Sequence, residues 1–321
     1  MNSTIFLYPY KSKKNQYIHF LSNALNQNAD LSNFKIRYLL KGKIKKNDTI
    51  VLNWFENCIV KKSGNVKLKG IIRLSLLLLA CKIIKPNLVW VKHNHQPHYS
   101  KKSTMKISKF FMKKLEKSAS SIVVHSKSAL NGKNFTYIPH PLYPTTALNL
   151  KHSNSPKKIL IFGAISRYKK VEDLLSIWPK EYALTIAGYA TPSYASKLKK
   201  IAAAQELKVD FNNNFLSDDE LSKVLETHDI TIIPHPEKSA IVSGAFFHAK
   251  SYGHHIIKRG FEPINNYGDP TCVFNYNSKN QLKLSIEKCM NSKESKQNIY
   301  MASRKTNCLN VFSTGFKELI K

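Results

Sequence analysis

Two stretches of the chain combine residue types suited to holding a phosphorylated ligand. The first is Ile159-Leu-Ile-Phe-Gly163-Ala-Ile-Ser166-Arg167-Tyr168-Lys169-Lys170, a strand that ends in a glycine with cations behind it. Gly163 permits a tight turn and a close ligand approach. The cations directly behind it can neutralise a diphosphate. A basic strand-to-helix loop with no ligand has the same composition. The second stretch runs from Asp229-Ile-Thr-Ile-Ile-Pro234 to Ser243-Gly244-Ala245 and reads as a strand, a loop and a helix start. Unpaired amides and the positive end of a helix dipole favour phosphate there. The plainer role for Ser243 is helix capping. Ser217-Asp-Asp-Glu220 is a capping signal and not a catalytic carboxylate pair.

A third cluster lies in Trp90-Val-Lys-His93-Asn94-His95-Gln-Pro-His98. Histidines at a strand end are candidates for general base. Glu56, just past another strand, is the best-placed acid in an acid-poor half, although a lone Glu in that position is often only a solvated loop residue. The histidine spacing also raises metal ligation. No carboxylate or cysteine nearby completes a set, so no metal is expected.

These residues need elements to hold them. Strands are expected at Thr4–Tyr8, Lys35–Leu40, Thr49–Trp54, Leu88–Lys92, Ser121–His125 and Thr136–Pro139, with helices near 17–27, 67–84 and 104–117. A polar, proline-containing linker covers Tyr143–Lys158, after which the pattern restarts. Strands follow at Lys158–Phe162, Ala183–Ala187, Val209–Phe211, Ile230–Pro234 and His255–Lys258. Helices are expected at Val171–Trp178, Tyr194–Gln205, Asp218–Thr227 and Ala245–Tyr252, and over the last forty or so residues. Apolar strands alternating with helices imply α/β domains with parallel sheets covered on both faces. Two such series imply two doubly wound domains, 1–148 and 149–321, the last helix returning to the first. Such sheets bind ligands beyond the carboxyl ends of their strands.

The chain has 321 residues, 42% of them hydrophobic, enough for two cores. Its net charge of +31 is uneven. Residues 1–150 carry 26 Lys and Arg against four acids, a net of +22, and the remainder carries 25 against 16, a net of +9. The excess reads either as a Lys-rich, Asn-rich composition or as attraction to an anionic surface, phospholipid or nucleic acid. The segments 67–84 and 101–117 mix lysines with Ile71, Leu76–Leu79, Phe110 and Phe111. They are either ordinary helices with solvated basic faces or an interfacial patch for anionic lipid. No nucleic-acid-binding motif is evident. The five cysteines are scattered and fit free thiols in a reducing compartment. The N-terminus opens directly on a strand with no signal-peptide pattern. Ile71–Ile84 is too short and too charged to span a bilayer, which takes about 20 residues. A soluble or peripheral cytoplasmic protein is expected.

In order along the chain, Phe162-Gly163 with Tyr168-Lys169, Ile186-Ala187-Gly188, Leu216-Ser-Asp-Asp-Glu-Leu221, Asp229–Pro234, Ser243-Gly244-Ala245 and Ala249-Lys-Ser-Tyr-Gly253 resemble bacterial GT-B glycosyltransferases. The likeness is to family 4-like members of a Ser-Gly subgroup and covers about residues 158–258. The His93 loop, Val123-Val-His125-Ser126 and Ile138-Pro-His140 fit the same pattern. The resemblance implies a GT-B fold of two Rossmann-like domains facing a central cleft. It also implies a nucleotide-sugar donor on the second domain and an acceptor on the first. Ser166, Arg167, Lys169 and the Ser243, Gly244 and Ala245 amides would hold the diphosphate, with Gly163 at the turn. The loop from Gly188 would lie at base or ribose, and His93 near the transferred sugar or the acceptor hydroxyl. The chain departs from the pattern in three places. Ala240 and His248 stand where retaining members carry glutamates, and Lys170 stands where a glycine is usual.

The expected function is transfer of a hexose from a UDP- or GDP-sugar to a lipid-linked or saccharide acceptor in surface polysaccharide, capsule or lipopolysaccharide synthesis, at the inner face of the plasma membrane. His93, Glu56 and His95 are the catalytic candidates. The nucleotide sugar is a co-substrate and no other cofactor is expected. A nucleotide-sugar epimerase of the same architecture and, more remotely, a basic nucleic-acid-binding protein are the competing readings.

Overall fold

In the computed structural model, the described residues are all except 1–2, 13–14, 28, 62, 98–99, 146–155, 236–240, 242, 261–271 and 321. They form two compact units. One comprises Met1–Pro141, Lys238–Val242 and Asn307–Lys321, and the other Leu142–Glu237 and Ser243–Thr306.

The first unit carries β1 (Thr4–Tyr8), α1 (Gln16–Asn26), β2 (Asp30–Asn33), α2 (Ile36–Leu40) and β3 (Thr49–Asn53). After a 3-10 turn at Phe55–Ile59 come α3 (Leu68–Ile84), β4 (Asn87–Val91), α4 (Lys102–Ser118), β5 (Ser121–Val124) and β6 (Phe135–Tyr137). The sheet order is β2-β1-β3-β4-β5-β6, and every pairing is parallel. Central strands such as Thr49-Ile-Val-Leu-Asn53 are buried along their whole length, as a sheet covered on both faces requires. Leu74 and Leu77 of α3 and Met112 and Leu115 of α4 seal one face.

The second unit carries β7 (Ile159–Phe162), α5 (Val171–Leu175), β8 (Leu184–Ala187), α6 (Pro192–Ala204), β9 (Val209–Asn212), α7 (Asp218–Glu226) and β10 (Ile230–Ile233). It continues with α8 (Gly244–Ser251), β11 (His255–Arg259), β12 (Val273–Tyr276), α9 (Lys279–Asn291) and α10 (Lys296–Asn307). Its order, β12-β11-β10-β7-β8-β9, is again all parallel. Counted along the chain this is the 3-2-1-4-5-6 arrangement, whose switch point lies between β7 and β10. A final helix, α11 (Leu309–Leu319), belongs to the first unit. Phe312 and Phe316 are fully buried there, the former edge-on to Tyr17 of α1.

Three expectations change. Residues 36–40 form helix α2 where a strand was expected, and the apolar positions Ile36, Leu39 and Leu40 have helical spacing. The neighbouring strand is Asp30–Asn33, whose polar sequence hides it because it is an edge strand paired only with β1. The helix expected over Val171–Trp178 stops at Leu175. β12 was not foreseen. The leading segment of the first unit is Met1–Pro141, and Tyr143 donates its amide to Ser251 Oγ (2.8 Å) and stacks on His248 within the second unit.

Glu56 is not a solvated loop residue. It lies in the 3-10 turn after β3 with no exposed surface, and its Oε2 accepts from Trp90 Nε1 at 3.2 Å. Burial pushes its carboxyl up to about 7, against the opposing pull of its backbone bond, of Trp90 and Asn94, and of the Lys92 charge. A group that binds its proton more tightly when folded stabilises the fold fully below its unfolded value, near 4.5. That contribution is lost as pH rises through about 7. Glu56→Gln is therefore expected to match the wild type near pH 4 and to exceed it by up to about 3 kcal/mol above pH 8. Urea denaturation at the two pH values checks this.

The loops after β7 and β8 meet at two glycines. Gly163 (φ +84°) and Gly188 (φ +141°) are so close that a Cβ on Gly188 would lie 2.1 Å from the Gly163 carbonyl oxygen. Gly188→Ala is expected to cost about 3 kcal/mol through strain and clash together, read as a lowered midpoint in the same denaturation assay.

Candidate functional site

In the second unit, β7 and β10 lie side by side, so the loops leaving them open at the same carboxyl edge. The β7 loop turns at Gly163, passes Ser166 and enters a 3-10 turn at Arg167–Lys169. Lys170 then adopts φ +57°, the left-handed conformation that favours glycine, and starts α5. This turn folds Lys169 back over the strand end, where its Nζ donates to the Phe162 carbonyl at 2.8 Å. The side chain is buried, and desolvation lowers its pKa to about 8. One carbonyl satisfies one of three ammonium hydrogens, leaving capacity for an anion.

Two polar atoms beside it are buried without a partner, Ser166 Oγ and His235 Nδ1. His235 follows β10 and meets the Tyr168 ring edge-on at 5.8 Å. Burial, and then the charges of Lys169 and Lys258, hold its pKa down to about 4, so the imidazole is neutral at physiological pH. Lys258 is buried at the end of β11, in register with Ile233 of β10. The edge thus gathers two buried lysines, a hydroxyl and an imidazole. Arg167, in the same turn, is exposed, with its guanidinium 5.3 Å over the Tyr194 ring.

Helix α8 starts on the same edge, following β10. Ser243 stands at its N-cap with extended backbone and makes no side-chain capping bond, so the first-turn amides at Gly244 and Ala245 keep their dipolar end uncapped by that hydroxyl. A Cβ on Gly244 would lie 3.6 Å from the Tyr143 hydroxyl. Tyr143 stacks on His248 at 3.5 Å between ring centres, and His248 approaches Phe162 at 6.4 Å. Phe162, His248 and Tyr143 therefore form a continuous aromatic bridge from the Lys169 strand to the N-terminus of α8. Burial lowers the His248 pKa to about 4, so this position carries a neutral ring where a carboxylate was the family pattern. Gly188 leads into a loop tied down by Asn213, whose side chain accepts from Ala190 N (2.7 Å) and donates back to its carbonyl (3.3 Å). Tyr189 on this loop is exposed.

In the first unit, histidines end three adjacent strands. His93 follows β4, His125 follows β5 and His140 follows β6, and all three are buried. His93 stacks on Trp54 (4.1 Å) and meets the edge of Tyr17 (4.9 Å). Tyr17 also packs against His125 and His140. The tautomers follow from their partners. Nδ1 of His125 faces the Ile138 carbonyl at 2.6 Å, so it carries the proton, and Nε2 accepts from the Tyr17 hydroxyl at 2.8 Å. Burial keeps this ring neutral, with its pKa down to about 4. The Asn53 amide nitrogen donates to the Tyr8 carbonyl, so its oxygen accepts from His93 Nε2–H at 3.1 Å. Trp54 reaches this position from a left-handed backbone (φ 50°), a strain of the kind concentrated at functional sites. His95 is exposed, Glu56 is inside the core, and His98 lies outside the described residues.

Of the residues singled out from sequence, Gly163, Ser166, Arg167, Lys169, Gly188 and the Ser243–Ala245 turn lie at one edge of the second sheet, with the Arg167 guanidinium over Tyr194. Sequence reasoning gave no role to His235, Lys258, Tyr143, Tyr17 or Trp54. The recurrence of histidine just past β4, β5 and β6 was the available signal for the first-unit cluster. Nothing in the sequence marks Lys258, which reads as one more lysine. Among the described residues, no group of His, Cys, Asp or Glu is placed to hold a metal, and no helix is long and apolar enough to cross a membrane.

No family model and no curated protein matches the sequence. Solved structures do match in fold. The sucrose-phosphate synthase of Thermosynechococcus elongatus superimposes with a TM-score of 0.64 at 11% identity, over 97% of this chain and 79% of that one. Anabaena HepE in complex with UDP-glucose gives 0.61 at 13% identity, over 99% of both chains. The lipopolysaccharide outer core galactosyltransferase WaaB, in its apo form, gives 0.62 at 13% identity, over 100% of this chain and 99% of that one. Two six-stranded parallel sheets wound in this order, matched over nearly the full chain, make the fold GT-B.

Proposed function

We propose that the protein is a glycosyltransferase that moves a hexose from a UDP- or GDP-sugar to a lipid-linked or saccharide acceptor in the synthesis of a bacterial surface polysaccharide, capsule or lipopolysaccharide. One observation carries the donor half. A buried ammonium, Lys169, sits beside two unpartnered buried polar atoms, Ser166 Oγ and His235 Nδ1, at the switch point of the second sheet. A diphosphate satisfies all three and is drawn further by the Gly244 and Ala245 amides. As the glycosidic bond breaks, negative charge grows on the departing nucleoside diphosphate. A preorganised cation in a desolvated site stabilises that charge most where it develops. The UDP and UDP-glucose complexes of HepE support this assignment by analogy of fold.

For the acceptor half, His93 is the residue whose surroundings suit a base. Its Nε2–H is engaged by Asn53 and its ring is held by Trp54, which fixes the imidazole as a candidate base for a hydroxyl in an inverting transfer. Glu56, sealed beneath it against Trp90, acts as a positioning residue for that strand end. A lipid-linked acceptor puts the reaction at the cytoplasmic face of the plasma membrane, and the likeness to WaaB supports an envelope role.

Lys169→Ala is expected to lower turnover of the nucleotide sugar roughly 100-fold or more while unfolding as cooperatively as the wild type. Unchanged kinetics would remove the site. Thermal unfolding against UDP-, GDP-, CMP- and dTDP-sugars identifies the donor, since a ligand at 100 times its Kd adds about 3 kcal/mol. His93→Ala is expected to reduce kcat by roughly 100-fold or more and to leave that donor-induced stabilisation intact.

A further inference from the structure

Helix α3 is apolar on two opposite sides. Leu74, Leu77 and Cys81 face the core of the first unit. Leu68, Ile72, Leu79 and Ile83 form a second stripe about half a turn away, and between 51% and 71% of each is exposed. Neighbouring α4 buries Thr104, Ser108, Met112 and Leu115. Its opposite face is a stripe of exposed lysines, Lys102, Lys106, Lys109, Lys113 and Lys117, with Phe110 among them at 54% exposure. A groove of about 640 Å³ runs between the two helices, walled by Leu78, Leu79, Phe110 and Phe111. Lys82, Lys85, Lys114 and Lys117 stand round it. The one acid on either helix, Glu116, is paired with Lys92 at 2.5 Å and offsets none of this charge.

We infer that the α3–α4 face is a docking surface for an anionic phospholipid bilayer. Leu68, Ile72, Leu79, Ile83 and Phe110 enter the acyl boundary while the lysines meet the headgroup phosphates. The pairing of the two residue types decides among partners. Exposed apolar side chains interleaved with lysines gain from a medium that is anionic at its surface and apolar just beneath. A nucleic-acid backbone offers only the charge. Long lysine stems also let the ammonium groups remain at headgroup level while their methylenes cover apolar surface. The inference goes beyond the proposed transfer reaction and draws on none of its residues, so the two fail separately.

The test is co-sedimentation of the full chain with vesicles of phosphatidylcholine alone and of phosphatidylcholine mixed with phosphatidylglycerol. Binding to the mixed vesicles only, weakened by salt, is expected. The Lys109→Ala, Lys113→Ala, Lys117→Ala triple variant should bind about 100-fold more weakly, near fivefold per lysine. Leu79→Ser, Ile83→Ser, Phe110→Ser should retain only salt-labile binding. Both variants alter exposed positions, and both should keep the wild-type stabilisation by the nucleotide sugar. Equal binding to neutral vesicles, or binding unchanged in either variant, would overturn the inference. So would a concentration-dependent dimer that the apolar variant abolishes, or retention of nucleic acid by a chain that ignores the vesicles.

Discussion

Parallel pairing of β7 with β10 places beside each other two loops that are far apart in the chain, and the rest of the second unit is organised around that meeting. β8 and β9 extend the sheet to one side and β11 and β12 to the other, so the edge between β7 and β10 lies open to a ligand. Gly163 and Gly188 let the flanking loops approach within a distance no side chain permits. The turn at Lys170 then aims Lys169 back across the strand end. Burying an ammonium is costly unless its hydrogens find partners. Here a single carbonyl is given to it, and the neighbouring serine and histidine atoms have none.

The first unit uses burial differently. Its strand-end histidines are held by carbonyl, amide and phenol groups, so that His125 is a neutral scaffold and His93 gives its Nε2 proton to Asn53. Glu56, bound to Trp90 within the core, ties the end of β3 to β4. Part of the charge excess of this half is carried by exposed lysines on α3 and α4, on helix faces turned away from the sheet.

Much of this was legible in the sequence, for identifiable reasons. Strands buried on both faces, such as Ile50–Leu52 and Val89–Val91, are continuous apolar runs that stand out locally. Polar edge strands such as Asp30–Asn33 and the short β12 do not, because their pairing partner and not their own pattern decides their state. The same division holds at the site. Gly163, Lys169 and Ser243 announce themselves by their place after a strand or before a helix. Lys258 and His235 gain meaning only when register sets β11 beside β10. The contact of Arg167 with the Tyr194 ring is set by the fold and not by spacing, and Glu56 is buried by a 3-10 turn that no periodicity foretells.

A nucleoside diphosphate held at the carboxyl edge between β7 and β10 is tested most directly by a crystal structure of the protein grown with UDP, or with GDP if that nucleotide stabilises it more. Diphosphate oxygens are expected within hydrogen-bonding distance of Lys169 Nζ and of the first-turn amides of α8, with His235 or Ser166 completing the shell. Nucleotide density at any other place, with Lys169 still bonded only to the Phe162 carbonyl, would contradict it.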